Sequence, residues 1–429
     1  MANNTKGEAS VNTTGLANYF CKMKIGNVDI HTDSINAIII REWIFDIVPR
    51  MELTLTDDGS LFELWPLEDT EIIVELGKTK ASEHIVSTFI VDNSSVDILA
   101  GNASNIVTIT AYLKYTNLFH PIHTRALKNK SSIEVLKQLA SEIGWKVNSR
   151  INNSSDTMTW LQINMNNFDM IKHVLERSYI PTDLLLAYAS INNKFTIKSL
   201  KDEFTDNTFK ICRFDLTNAA ADTFDNKQDA ITLWSNGYRF HNMTGYFNKV
   251  VGGYGLTSTY YDLSKKVGLS SAIDYHPYTS LTGQHHMGEY VDSINYGTLT
   301  KNTHPNYYKG MITNRNILGS QFGNMIVAKI NPIGTIKGKL NNGTDVIIDQ
   351  SIELMDTINF VLPSINQKQI NEIYGGFYLV CGKCWYASKG SPLQLEVSMM
   401  RNGRNKSSFN LDTTKDVVKT ATNSSPVVS

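Results

Sequence analysis

The sequence predicts a mainly β protein with an α+β component: two β-barrel-like modules separated by a small α+β domain. Three observations predict it. Within Ile35–Leu76 the segment Arg50–Thr56 alternates polar and apolar residues. Met51, Leu53 and Leu55 then lie on one face of a strand, and Glu52, Thr54 and Thr56 on the other. One packed face and one wet face is the pattern of an antiparallel barrel or sandwich. A second strand pair of this kind runs from Gly375 to Arg401. Between the two, the apolar period changes from two residues to between three and four.

The first module is expected over residues 16–118. Its strands are predicted at Tyr19–Ile25, Ile35–Ile44, Met51–Thr56, Ile72–Leu76, Ile85–Val91 and Ile106–Leu113. Asp57-Asp58-Gly59 and Ala100-Gly101-Asn102 are turn signals between them. Residues 1–15 are polar and rich in Gly, Asn and Thr, and are expected as a flexible arm.

The α+β domain is expected over 119–206. Ser131 opens a helix and stands at capping-box spacing from Glu134. Ile133, Leu136, Leu139, Ala140 and Ile143 form one stripe, and Gly144 sits where a C-terminal glycine belongs. A second helix begins near Asn167, with Phe168, Ile171, Val174 and Leu175 recurring at helical spacing. Asp169 lies in its first turn and Arg177 in its last. Asp183–Ala189 and Lys194–Ser199 read as strands joined by a turn at Asn192-Asn193.

Residues 207–235 read as a connector with a short helix near Ala219–Phe224. The second β module is expected over 236–266 and 325–404. Gly252-Gly253 within it suits a turn or bulge. Residues 267–324 carry His, Pro, Gly and Tyr without sustained periodicity and read as a long insertion. Residues 405–429 are rich in Ser, Thr, Asn and Lys and are expected as a disordered tail.

With 429 residues the chain is long enough for several cores. Its 40 basic residues nearly balance 41 acidic ones, so no basic excess marks a nucleic-acid footprint. Charged residues make up 19%, below the roughly 25% usual for soluble domains. Asn, Thr and Ser fill the gap, which suits strands, loops and subunit contacts that avoid charge. Met1–Leu16 lacks the apolar core of a secretory signal, and no apolar run reaches the length of a membrane span, so no membrane insertion is expected.

Chemical candidates are few. Cys381 and Cys384 have redox and zinc spacing, but they stand in a predicted strand, where that spacing sends the side chains to opposite faces. Cys21 and Cys212 are isolated, so no second ligand pair is in view. His120 and His123 flank Pro121, which prevents the shared helical face of zinc-binding histidine pairs. His276, His285, His286 and His304 fall in the insertion and read first as loop histidines at an interface. The acid pairs Asp57-Asp58, Glu68-Asp69 and Asp202-Glu203 fit turns better than the opposed carboxylates of a glycosidase. No Gly-x-Ser-x-Gly elbow and no phosphate-binding Gly-x-x-x-x-Gly-Lys-Ser/Thr loop occurs, and Gly252-Gly253-Tyr254-Gly255 lacks strand–helix context. Tyr260-Tyr261, Tyr307-Tyr308 and Trp385-Tyr386 could stack on sugars or bases, but aromatics are also the usual anchors of protein interfaces. The expectation is no catalytic, cofactor-binding or metal site.

Three stretches, in this order along the chain, carry a resemblance. The first is Ile35–Leu76, with Trp43-Ile44-Phe45, Val48-Pro49, the alternating strand, the Asp-rich turn and Glu68-Asp69 before a strand. The second is Trp160-Leu161-Gln162 followed by the Phe168–Tyr179 helix and a small hairpin. The third is Gly376-Phe377-Tyr378-Leu379-Val380, then Leu393-Gln394-Leu395-Glu396-Val397 and Met400-Arg401-Asn402-Gly403. Together they resemble the central baseplate hub proteins of contractile-tailed bacteriophages, to which the tube region of type VI secretion spike proteins is related. The resemblance implies that the two modules are similar tube modules and that three chains form a ring of six. Such a homotrimer would join a hexameric tail tube to a trimeric central spike in the virion. It would contact tube-initiating and baseplate wedge proteins and let DNA pass without gripping it. The alternatives are a receptor- or glycan-binding β protein of the virion, read through the aromatic insertion, and a cell-wall hydrolase.

Overall fold

The computed structural model describes residues 19–64, 66–77, 85–98, 105–181 and 183–200, and beyond these 210–214, 232–242, 257–272, 294–300, 302–311, 313–314, 324–330, 337–339, 345–347, 352–361 and 375–401. The expected arm and tail, and the helix expected near Ala219–Phe224, lie outside the described residues.

The first module contains β1 (Phe20–Ile25), β2 (Val28–Ile30), β3 (Ile35–Trp43), β4 (Arg50–Asp57), β5 (Glu71–Gly77), β6 (Ile85–Asp97) and β7 (Asn105–Leu113). Alternation makes these strands. In β4, Met51, Leu53 and Leu55 are buried while Glu52, Thr54 and Thr56 stand on the wetter face. There Glu52 accepts from Arg41 at 2.6 Å and from Arg50 at 3.1 Å. Asp57 closes the strand, accepting from the Leu61 amide and the Ser60 hydroxyl.

The α+β region holds β8 (His123–Lys130), α1 (Ser132–Ile143), β9 (Lys146–Ser149), β10 (Met158–Met165), α2 (Asn167–Arg177), β11 (Leu185–Ser190) and β12 (Lys194–Ser199). Ser131 and Glu134 complete the capping box of α1, and Gly144 ends it with a left-handed φ of 89°. Asn166 caps α2 through the Asp169 amide. Arg125 of β8 donates to both carboxylate oxygens of Glu142 and to the side-chain Oε1 of Gln162, tying β8 to α1 and β10.

The remaining strands are β13 (Lys210–Phe214), β14 (Thr232–Asn242), β15 (Thr257–Asp262), β16 (Val267–Ala272), β17 (Ile294–Leu299), β18 (Asn324–Ile330), β19 (Lys337–Lys339), β20 (Asp345–Ile347), β21 (Thr357–Val361), β22 (Gly376–Ser388) and β23 (Gln394–Arg401). The stretch read as a connector thus contributes β13 and the start of β14 to the large sheet. The stretch read as an insertion contributes β16 and β17, which flank β15 in a separate three-stranded sheet, and a short helix at 307–311.

Thirteen strands form one sheet in the order β2-β1-β5-β6-β7-β4-β3-β22-β21-β13-β14-β18-β23, and β22 also pairs with β23. That last pairing, with the β13–β14 pair, closes β13-β21-β22-β23-β18-β14 into a six-stranded ring. The first module repeats the strand order, though among the described residues no β1–β3 pair closes it. Set aside the short β2 and letter each module's strands a to f along the chain: both then have the order a-d-e-f-c-b.

Register repeats as well as order. The b–c pair slips around Asn36 in the first module and around Asn236 in the second. The e–f pair slips between Val91 and Asn93, and between Val380 and Gly382. Before strand d, Asp69 and Met355 both take a left-handed φ, 63° and 74°. Each donates its amide to strand e, Asp69 to the Val91 carbonyl and Met355 to that of Val380. The modules differ at strand a. β1 runs antiparallel to β5, whereas β13 runs parallel to β21. Buried side chains of both modules and the α+β region form one continuous cluster.

Candidate assembly interface

Among the described residues, one strand seam joins the two modules. Ala37–Trp43 of β3 pairs antiparallel with Gly382–Ser388 of β22, and the Ile44 amide extends it to the Cys381 carbonyl. β22 can serve two neighbours on one edge because β21 takes only Gly376–Leu379. At Gly382 the backbones close tightly, and an added Cβ would lie 2.1 Å from Cε3 of Trp43. Only glycine leaves room for the indole there.

One residue along, Glu42 stands directly opposite Lys383. Their ion pair, 2.9 Å long, is almost wholly buried, with Glu42 fully enclosed. The other Glu42 oxygen accepts from the Ile191 amide in the β11–β12 turn. Lys383 also donates to the Ile352 carbonyl and lies over the Trp385 ring. Ser87 donates to the Ile191 carbonyl, the Ala189 amide bonds the Ile47 carbonyl, and Tyr188 reaches the Leu354 carbonyl. Glu42 is therefore the point where both modules and the α+β region meet. Sequence reasoning missed it: alternation sets Glu42 on the face of Ile38 and Ile40, but nothing in the sequence names the lysine that meets it there.

Several of the residues singled out for chemistry have structural contacts. Cys381 is enclosed in the e–f bulge and points its thiol at the Ser398 carbonyl. Burial pushes its pKa well up, and burial together with Glu75 pushes Cys21 up to about 12. Cys384 is also raised, chiefly by burial. Such thiols hold their protons near neutrality, against the thiolate that redox or metal chemistry uses. Cys212 belongs to β13, whose side chains, like the turn at Gly252–Gly255, lie outside what is described.

His120 is exposed in a loop and His123 begins β8. His304 is buried 3% exposed against Trp160 and Tyr307, with Nε2 at 3.3 Å from the Arg177 carbonyl. Burial lowers its pKa, partly offset by Asp156. His276, His285, His286, Asp202 and Glu203 lie outside the described residues, among which no cluster of metal-ligating side chains occurs. Asp58 accepts from Ser60 in its turn, and Glu68 accepts from Ser94. Tyr308 stacks on Tyr260 and meets Tyr307 edge-on, so this aromatic group packs on itself. Tyr386 stays 38% exposed beside the seam.

No helix among the described residues is long and apolar enough to cross a membrane. No family model matches the sequence, and no curated protein does. Solved structures do. A tail protein from Neisseria meningitidis MC58 superposes with TM-score 0.52 at 9% identity, covering 89% of this chain and 96% of that one. The 43 kDa tail protein of prophage MuSo2 from Shewanella oneidensis gives TM-score 0.52 at 10% identity, covering 89% and 97%. At these identities the likeness is one of fold. The chain carries, nearly end to end, the mainly β tail-protein fold that its sequence resemblance implied.

Proposed function

We propose that the chain is a non-enzymatic hub of a phage tail baseplate. Three copies form a ring with six similar modules, a pseudo-sixfold adaptor between a hexameric tail tube and a trimeric central spike. One observation carries this reading: one chain holds the same strand order and bulge positions twice. A chain that presents one module twice lets a threefold assembly match a sixfold one, which is the mismatch a hub must bridge.

The ring's rims would hold tube-initiating and wedge proteins on one side and the spike on the other. Its channel passes DNA, and the near-equal counts of 40 basic and 41 acidic residues suit a passage that does not grip phosphates. Permanent interfaces of this sort bury roughly 2,000–5,000 Å². Light scattering of the purified chain, followed by low-resolution imaging, tests the reading. Rings of three copies with a central hole are expected. A chain that stays monomeric at every concentration overturns it.

A further inference from the structure

The seam inside one chain joins strand b of the first module, β3, to strand e of the second, β22. The strands in the matching places are β14, which is b of the second module, and β6, which is e of the first. Both have the corresponding edge without a strand among the described residues. β6 gives Ile85–Ile90 to β5, while Asn93–Asp97 pairs only with β7. β14 gives Thr232–Ser235 to β13, while Gly237–Asn242 pairs only with β18. In the sheet, β6 and β14 lie on opposite sides of the β3–β22 seam.

We propose that the Ser94–Ile98 edge of β6 takes the Tyr238–Asn242 edge of β14 from a second copy, antiparallel, as β22 takes β3. This rests on the ring reading above and gives the ring its contact between copies. Each copy offers one donor edge and one acceptor edge, so the contact runs head to tail, and the ring reading closes it after three.

The register follows from the repeat. The bulges make Val380 the counterpart of Val91, and Gly237 that of Ala37. Trp385 faces Ile40 in the existing seam, which sets Val96 opposite Phe240. Ser95 then faces His241, Asp97 faces Arg239, and Ile98 faces Tyr238. The sequence at these positions suits the pairing. Asp97 and Arg239 are both exposed in the single chain and carry opposite charges. Ile98 is 67% exposed and falls opposite an aromatic residue, a favoured cross-strand combination. The existing seam likewise holds one charged cross-strand pair, Glu42 with Lys383.

The test is a cross-link. Residues facing each other across antiparallel strands have Cα atoms about 4.5–5.5 Å apart, within disulfide reach. The variant Asp97→Cys, Arg239→Cys should give covalent dimers and trimers under mild oxidation, with the ladder stopping at three and collapsing on reduction. Either cysteine alone should give no such ladder: native Cys21 and Cys381 are buried, and any cross-linking through the part-buried Cys384 would show equally in the unsubstituted chain, which serves as the control. Asp97→Lys alone should raise the concentration at half-assembly about threefold or more, and adding Arg239→Glu should restore it. Trimers by mass that do not cross-link overturn the seam and leave the ring. Monomers without cross-links overturn both. A disulfide within one chain overturns the seam by showing that the two edges meet without a second copy.

Discussion

Lys383 and Glu42 face each other across the seam with 10% and 0% of their side chains exposed. Removing one member of such a pair leaves a buried charge unmatched, which typically costs about 3–5 kcal/mol. Lys383→Met should lower the urea midpoint accordingly, and Lys383→Met with Glu42→Gln should recover most of the loss. Additive losses in the double variant would show that the two side chains act separately. Gly382 is a second point of leverage. Alanine there needs the Trp43 ring to move, because its Cβ would lie 2.1 Å from Cε3. Overpacking of this kind costs about 1–3 kcal/mol, readable in the same unfolding experiment. Neither residue was legible in the sequence. Alternation tells which residues face inward in one strand, but not which strand of the other module will lie alongside.

Helix ends were the most legible elements, because caps are local chemistry. Ser131, Glu134 and Gly144 stand where spacing alone puts them. Ser131→Ala should cost about 1 kcal/mol of stability in thermal unfolding. Strands of the first module were legible for a similar reason: their alternation is long and their buried residues are large. The ribbon β8–β10 was not, since β8 buries only Leu127. The stretch read as an insertion supplies side chains that serve the end of a distant helix. Asn314 donates to the carbonyls of Leu175, Glu176 and Ser178 at the C-terminal end of α2, and His304 reaches that of Arg177. No periodic pattern could have announced this.

This junction should be sensitive to acid. Burial, reinforced by Arg177 and opposed by Glu176, pushes His173 down to about 4, and burial lowers His304 despite Asp156. Unfolded, each imidazole takes up its proton near 6.5. Folded, both stay neutral to lower pH, so the unfolded state binds more protons and stability falls as pH drops from about 6.5 toward 4. Chemical denaturation at stepped pH should show that slope. His173→Gln should flatten it, and an unchanged slope would place the titrating groups elsewhere.

At the scale of the whole molecule, the duplication was visible in the sequence only as two patterned regions. Its proof lies in backbone register, where Asn36 and Asn236 occupy the same bulge while Ile38-Ile39-Ile40 corresponds to Tyr238-Arg239-Phe240. Strand pairing constrains hydrogen-bond geometry far more than side-chain identity, so the repeat survives without matching residues. The same architecture predicts how the chain unfolds. Two modules sharing a strand edge, a buried ion pair and one continuous core should melt together, whereas independent modules would melt apart. Scanning calorimetry should therefore show one transition for the two modules. Widening the steric conflict with Gly382→Leu should separate it into two, because Trp43 can no longer sit against β22 while each module keeps its own strand order. A variant that loses stability yet still melts in a single transition would mean that the continuous buried core, and not the strand seam, couples the two halves.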